Sequence, residues 1–553
     1  MYPIRRFFER LRYFEDKVKG TPRYVRIFIC VFSLFYVIGY ALDNVGKIPV
    51  LSLGIIPMSI VFIGIYNICL YTIYILSVLW NFAEPFAKRM GNHLISMSYK
   101  KMMLFILIVQ LPVALIRYPA GIEWDAYHQI EQVILGTLSS SHWPPASSVF
   151  MGGFALLGKR LFNSYEMGLF LFVVVQVLLV SLVITYCLRV LIRLHISTSV
   201  LFVVEIVFLL SPYIISFSTQ IVKDTPFAYA VLFMTALLTE ELYGLNFNWS
   251  HKIALTVVSI IACISRNNGI YLIAGLIIAL MIKSLSGINH RRYLAVTLCL
   301  CVSAMMYLAY TEILLPSLNI QKGSVAEALS IPFQQTARYV SEYPEDVTIE
   351  EKTIIDNVLE YDKLKELYNP LLSDPVKGTY KKEEKQLAPY FEVWFRHFLK
   401  HPLLYVESVM CNSIGFYYPA KKMEDSMPVS FYKVTMWDGG LVEFQETTGI
   451  FKYPRLALNA IYKVIGNLPF FYYLCNTAIN IWVIVFLTVY EIRFKRFSNV
   501  ILLLPSVIGI LVCIAAPTYI HNGARYAAPI IFSVPYLTGI SSIRTVEIDK
   551  EVG

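Results

Sequence analysis

The residues best suited to chemistry in this sequence stand in short, widely separated stretches. GIEWDAYHQIEQ carries Glu123, Asp125 and His128 just after an apolar run that ends at Arg117. QIVKDTPFAYA carries Lys223 and Asp224, SRNNGIYLIAG carries Arg266, Asn267 and Asn268, and HNGARYAAP carries His521, Asn522 and Arg525. His142 and Trp143 lie in SSSHWPPASS, and Arg338 lies far downstream in QQTARYV. A carboxylate of this kind can take a proton from a hydroxyl. A guanidinium binds phosphate oxygens in pairs, and an ammonium binds them as a point charge. Carboxylates set opposite such cations suit the transfer of a group from a phosphate to a hydroxyl.

Those residues sit in a chain that otherwise avoids charge. Of its 553 residues 57% are hydrophobic and 15% charged, and the mean hydropathy is +0.59. Apolar runs long enough to match a hydrocarbon core recur along it, which predicts an all-α polytopic membrane protein. The formal charge of +9 comes from Lys and Arg clustered beside apolar runs, where they set topology, so nucleic acid is not an expected partner. The nine cysteines lie mostly inside apolar runs without CxxC or metal-ligand spacing, and read as small hydrophobes. The basic N-terminus leads into a run of full span length with no small-residue cleavage site, which reads as a retained anchor.

The positive-inside rule then threads the chain. Residues 1–26 form a basic cytoplasmic N-terminus, and 27–101 hold two added spans and a loop with Lys88, Arg89, Lys100 and Lys101. A transmembrane core follows over 102–315, with a long first outer loop at 118–165. Residues 316–468 make a mostly helical extracytoplasmic domain, 469–541 the last spans, and 542–553 a cytoplasmic tail. The bundle so predicted has about 12 helices with both termini inside. Within the first outer loop, WDAYHQIEQVILGTL and VFMGGFALLGKRLF read as interfacial helices joined by a turn at His142, Trp143, Pro144 and Pro145, with proline blocking continuation of the first helix. This threading puts Asp125, His128, His142, Lys223, Asp224, Arg266, Asn267 and Arg525 on one side, whereas Arg117 reads as a side chain snorkelling to headgroups.

The order of these features resembles GT-C glycosyltransferases, integral-membrane enzymes that move a sugar from a polyprenyl-phosphate carrier to an acceptor outside the membrane. A span is followed by an outer loop with an early acid (Asp125 in WDAYHQ), interfacial helices and a His-Pro-like turn (HWPP), and then a second acid opening a helix (Asp224). An arginine between short spans (Arg266) and RYAAP at Arg525 complete the pattern, which covers roughly residue 103 to the end. SIPFQQTARYV and HPLLYVESVMCNSIGFYYP are similar to stretches in a bacterial family of multi-pass membrane proteins of unknown function. The resemblance implies Asp125 as catalytic base and Asp224 as the residue that orients the acceptor. Lys223, Arg266, Arg338 and Arg525 are implied phosphate contacts, with His128, His142, Trp143 and Asn267 lining the substrate. Tyr127 and Trp143 could stack on a sugar or anchor the interface. Asp125 and Asp224 could share Mg2+ or Mn2+, a point the resemblance leaves open. The implied partners are a polyprenyl-phosphate-linked sugar and an envelope glycan, glycolipid, teichoic acid or protein acceptor, met at the lipid bilayer of a bacterial cytoplasmic membrane.

Plainer readings of the same residues stand beside this one. Asp125 and Asp224 are natural helix caps, Arg266 and Arg525 could reach for headgroups, and the acids after Ser341 suit a solvated helix face. A multi-pass transporter or lipid-linked glycan flippase would place its charges near mid-bilayer rather than at one face. A non-enzymatic envelope-assembly protein would need no carboxylate cluster.

Overall fold

The computed structural model describes residues 20–49, 54–246, 248–285, 289–382, 384–421, 450–468, 474, 476–515 and 525–543. Nearly all of the regular structure is helical. In chain order come α1 (Arg23–Val45), α2 (Ile55–Ser96), α3 (Tyr99–Ile116), β1 (Gly121–Ile122), α4 (Trp124–Ile134), α5 (Pro145–Phe162) and α6 (Tyr165–Arg193). Then follow α7 (Thr198–Leu210), α8 (Pro212–Ser218), β2 (Gln220–Ile221), α9 (Asp224–Tyr243), α10 (Trp249–Ser265), α11 (Gly269–Ser284) and α12 (His290–Ala309). After a π-helical turn at Tyr310–Leu314, the later principal helices are α13 (Ser330–Glu342), α14 (Leu387–Lys400), α15 (Pro402–Asn412), α16 (Lys452–Asn467), α17 (Thr477–Arg493), α18 (Phe497–Ala515) and α19 (Ala528–Ser541).

Among the described residues six helices are long and apolar enough to cross a membrane: α1, α2, α3, α6, the helix Arg-rich at its start from His290 to Ser317, and α18. A seventh is available if α7 and α8, bent by 53° at their junction, form one broken span. This is fewer than the dozen expected. Helices α10, α11 and α19 are apolar but shorter than 18 residues. Helix α9, with Asp224 at its start and Glu240 and Glu241 in its last turn, is not among them. The expected loop around Lys88 and Arg89 is instead part of α2, a 42-residue helix that continues through Pro85 and, at 1.5 Å per residue, runs about 60 Å. Its apolar side chains face outward, as Ile60 at 67% and Ile63 at 59% exposure show, which is what a helix surrounded by lipid requires.

The chain divides into two compact units. One gathers the described parts of Met1–Arg89, Ala326–Lys422 and Ile514–His521. It has its own core of Phe333, Ala337, Val340, Ile355, Leu359, Tyr390 and Val393. The acidic stretch after Ser341 is tied down locally: Thr348 and Glu351 close a capping box, and His401 meets Asp346 at 2.8 Å.

The other unit holds Met90–Val325, Met423–Cys513 and Asn522–Gly553. Near its candidate site the core is built from Ala114, Ile122, Ala126, Tyr127, Ile130, Met151, Leu169, Phe172, Val177 and Ile221. Burying each large apolar side chain stabilises this region by about 1.5–3 kcal/mol. Helices α5 and α6 touch backbone to backbone, since a Cβ on Gly158 would lie 2.2 Å from the Gly168 nitrogen. The two helices expected in the first long loop are α4 and α5, but the first ends earlier than its proline-based boundary. Gly136, at φ 68°, stops it well short of Pro144, and Pro145 begins the next helix.

Candidate functional site

The site is assembled by a minimal parallel sheet. β1 pairs with β2 in the register Gly121 to Gln220 and Ile122 to Ile221. Each strand leads directly into a helix, α4 or α9, so the residues three places beyond the paired isoleucines, Asp125 and Asp224, come to equivalent positions. Both carboxylates then stand in the first turn of a helix, where the macrodipole favours negative charge. Ile122 and Ile221 are buried in the core beneath, and α4 is seated on it by Ala126, Tyr127 and Ile130.

Arg117 holds this arrangement from below. Its guanidinium is buried, not snorkelling as expected, and donates to the Ser216 carbonyl at 2.9 Å and to Thr219 Oγ1 at 2.7 Å. The expectation failed because the segment just before β2 supplies acceptors that the bilayer surface would otherwise have to provide. Gly121 is required beside it, for a Cβ there would lie 2.2 Å from Arg117 Nη2. Arg455 donates to the carbonyls of Ile116 and Tyr118, closing the end of α3 from another direction.

On this base stand two carboxylates and three cations. Asp125 Oδ2 receives Lys223 Nζ at 3.0 Å and Arg525 Nη2 at 2.8 Å. Asp224 lies between two guanidiniums, with Arg525 Nε 3.1 Å from its Oδ2 and Arg266 Nη1 2.8 Å from its Oδ1. Arg525 therefore bridges both acids. Arg266 also lies over the Tyr526 ring, 4.5 Å from its centroid. The cap reading of Asp224 does not describe its contacts, since no side-chain cap bond forms at this helix start and the carboxylate faces arginines. Glu123 joins at the edge, hydrogen-bonded by Gln220.

Charge and burial decide what such a cluster can hold. Lys223, Arg266 and Arg525 outnumber Asp125 and Asp224 by one, and burial pushes the neighbouring Glu123 carboxyl up. Burial alone would also raise Asp125, but Arg525 and Lys223 beside it overcome that and hold it well below the usual carboxylate range. Asp224 is fully enclosed, whereas the Asp125 side chain retains 21% exposure and is the carboxylate within reach of a ligand. Asp224's oxygens and Arg525 Nη1 make no well-directed hydrogen bond among the described residues, despite the short ion-pair distances. Arg525 Nη1, a donor, thereby keeps capacity for a polar ligand. The pattern suits an anion. It does not suit a divalent cation, because Asp125 and Asp224 already face ammonium and guanidinium groups, and no group of three or more metal-type ligands occurs among the described residues.

The other expected residues fall around this centre or elsewhere. His128 stacks on Trp143 with centroids 5.9 Å apart and lies 3.5 Å from Glu131, in an aromatic patch completed by Trp124. His142 packs edge-on to Trp143 at 5.1 Å. Asn267 reaches the Ser141 carbonyl at 3.5 Å and Ser147 donates to the Ser265 carbonyl at 3.1 Å, so the His142–Pro145 turn is tied to the Arg266 loop. Arg338 is committed within its own unit, where it meets Glu342 and Glu407 at 2.9 Å each and the Gly46 carbonyl at 2.8 Å. His521 and Asn522 lie outside the described residues.

Gln220, Arg117, Arg455 and Tyr526 were not expected. One signal for the pairing was present: Gly-Ile-Glu-Trp-Asp and Gln-Ile-Val-Lys-Asp share isoleucine and aspartate at the same offsets, and they are the segments that pair.

No curated protein and no solved structure matches the chain. A family model described as a family of unknown function, DUF6020, matches residues 135–545, a span that includes Lys223, Asp224, Arg266 and Arg525 and begins just after α4 and its Asp125. With most of its length matched, the chain belongs to the DUF6020 family.

Proposed function

We propose that this protein is a membrane glycosyltransferase of the GT-C type, which moves a sugar from a polyprenyl-phosphate donor to a hydroxyl of a cell-envelope acceptor on the outer face of the cytoplasmic membrane. The observation that carries the reading is the convergence of Asp125, Lys223, Asp224, Arg266 and Arg525 in one ion-pair network with a positive surplus. The family assignment names no activity, so the reading stands on that network and on the order of motifs along the chain.

The geometry suggests how the residues divide the work. With Arg525 and Lys223 bound to it, Asp125 is too acidic to be an effective base. A phosphate that takes those two cations frees the carboxylate, raises its proton affinity, and places it beside the reacting sugar. The bond from the anomeric carbon to the phosphate oxygen breaks, its electron pair staying on the phosphate held by Arg525 and Lys223. The acceptor oxygen bonds to that carbon, and its proton passes to Asp125. Asp224 acts as a positioning residue, holding Arg266 and Arg525 at a fixed spacing. His128 and Trp143 present the aromatic wall for the sugar.

The test is sugar transfer by purified full-length protein from polyprenyl-phosphate-linked sugars, paired with the envelope sugar composition of cells with and without the gene. Transfer that is lost in Asp125→Asn supports the reading. An unchanged envelope together with no transfer from any such donor refutes it.

A further inference from the structure

Helix α9 ends in a second polar region. Glu240 and Glu241, both fully buried, occupy its last turn. His251 bridges them, with Nε2 2.8 Å from Glu240 and Nδ1 3.0 Å from Glu241, and Arg193 and Tyr186 complete the contacts to Glu240. Beside this cluster opens a cavity of about 650 Å³ lined by Glu241, Lys252, Asn289, His290, Arg291 and Arg292. This is within the size range of small-molecule sites.

We infer that this cavity seats the phosphodiester headgroup of an anionic phospholipid. Its cations are available: Lys252 and Arg291 enter no ion pair among the described residues, and Arg291 is exposed. The N-terminus of the 20-residue α12 opens at the same place, adding backbone donors and a favourable dipole for an anion. Glu241 supplies a second, independent feature. One of its oxygens, Oε2, is buried without a hydrogen-bond partner, which fits a ligand that also carries donors, as a headgroup hydroxyl or ammonium does. The surroundings are those of a bilayer surface. Trp249 is 79% exposed with Lys252 over its ring, and Ile253, Leu294 and Leu298 on α10 and α12 are exposed apolar residues along which acyl chains can lie. The positive-inside rule assigns Lys283, Arg291 and Arg292 to the cytoplasmic face, where anionic lipids concentrate.

Full-length protein, delipidated in neutral detergent, is titrated with phosphatidylglycerol, phosphatidylcholine or inorganic phosphate and read by native mass spectrometry. The expected result is a preference of at least tenfold for phosphatidylglycerol over phosphatidylcholine. Lys252→Gln combined with Arg291→Gln removes that preference, while Lys495→Gln, an exposed basic control, keeps it. Arg291→Gln alone, at an exposed position the fold does not depend on, weakens it in the same direction. Displacement of the lipid by millimolar inorganic phosphate in the wild type, lost in the double variant, supports the same phosphate seat with a soluble source. Equal retention of the two lipids by the wild type, or a preference unchanged in the double variant, overturns the inference.

Discussion

The two ends of α9 solve the same problem, buried charge, in opposite ways. The helix places Asp224 at its first residue and Glu240 and Glu241 in its last turn, about 25 Å away along its axis and thus close to one hydrocarbon thickness. At the first end every cation is engaged with a carboxylate, so an incoming anion must compete with Asp125 for Arg525 and Lys223. At the second, both nitrogens of His251 face carboxylate oxygens, an arrangement that suits a doubly protonated ring, with Arg193 beside Glu240. Lys252 and Arg291 of the adjoining cavity make no ion pair with these groups among the described residues. An anion entering the first site therefore changes the protonation behaviour of a carboxylate, and one entering the second merely binds. Under the proposed function the first arrangement would couple phosphate binding to proton transfer, as a catalyst needs.

Asp125→Asn probes the coupling most directly and should have the largest effect. The amide keeps the shape and can still accept from Lys223, but it cannot take the acceptor proton. Turnover should fall by about 10²–10⁴-fold while the protein still reaches the membrane. A variant with full turnover would remove Asp125 from the chemistry and leave its cluster as a structural staple.

The two ends should also differ in stability. Asp224→Asn leaves Arg266 and Arg525 facing each other, with side chains only 9% and 7% exposed, and should cost about 3–5 kcal/mol. Glu240→Gln strands Arg193, whose side chain is 44% exposed and can turn to water, so its loss should be nearer about 1–3 kcal/mol. Thermal unfolding of the two variants in one detergent compares them. Equal losses would mean that solvent access at the two ends does not control the cost.

Of the same order as the Glu240 change is Gly121→Ala. The added methyl would meet Arg117 Nη2, and that guanidinium is held by the Ser216 carbonyl and Thr219. Shifting it should cost about 1–3 kcal/mol and disturb the β1–β2 pairing without touching the ion pairs directly. A neutral result in thermal unfolding would show that Arg117 can relocate freely.

Legibility in the sequence followed the range of the forces involved. Helices α4 and α5 were readable from their one-sided apolar pattern and turn residues and α9 from its continuous apolar run, all of which are local signals, and Asp224 at a helix start was visible from the Asp-Thr-Pro that follows Lys223. That Asp125 and Asp224 would share Arg525 was reachable only through sidedness, since the contact spans 400 positions of sequence. The span count was less legible. Hydropathy reads the segment after Asp224 as a crossing, and its two terminal glutamates are matched by the nearby His251 and by Arg193, which lies far upstream in sequence. Arg117 was misjudged for a related reason, because its acceptors lie on α8 and the turn after it, about a hundred residues away.

Acid titration probes the carboxylates of the first end most finely. The folded-state pKa of Asp125 lies below its unfolded value, near 4, because Arg525 and Lys223 outweigh the cost of burial. Its contribution to stability is therefore fully present above the unfolded pKa and is lost as pH falls toward the folded one. The difference in unfolding temperature between wild type and Asp125→Asn should stay constant from about pH 7 to 5 and shrink below about pH 4. Glu123 runs the other way, since burial raises its carboxyl and its ionisation opposes folding as pH rises. Glu123→Gln should consequently remove a loss of stability that sets in as pH rises from acid to neutral. If instead the Asp125→Asn difference grows as the solution is acidified, the carboxylate is not held by its cations, and the competition proposed for the phosphate does not occur.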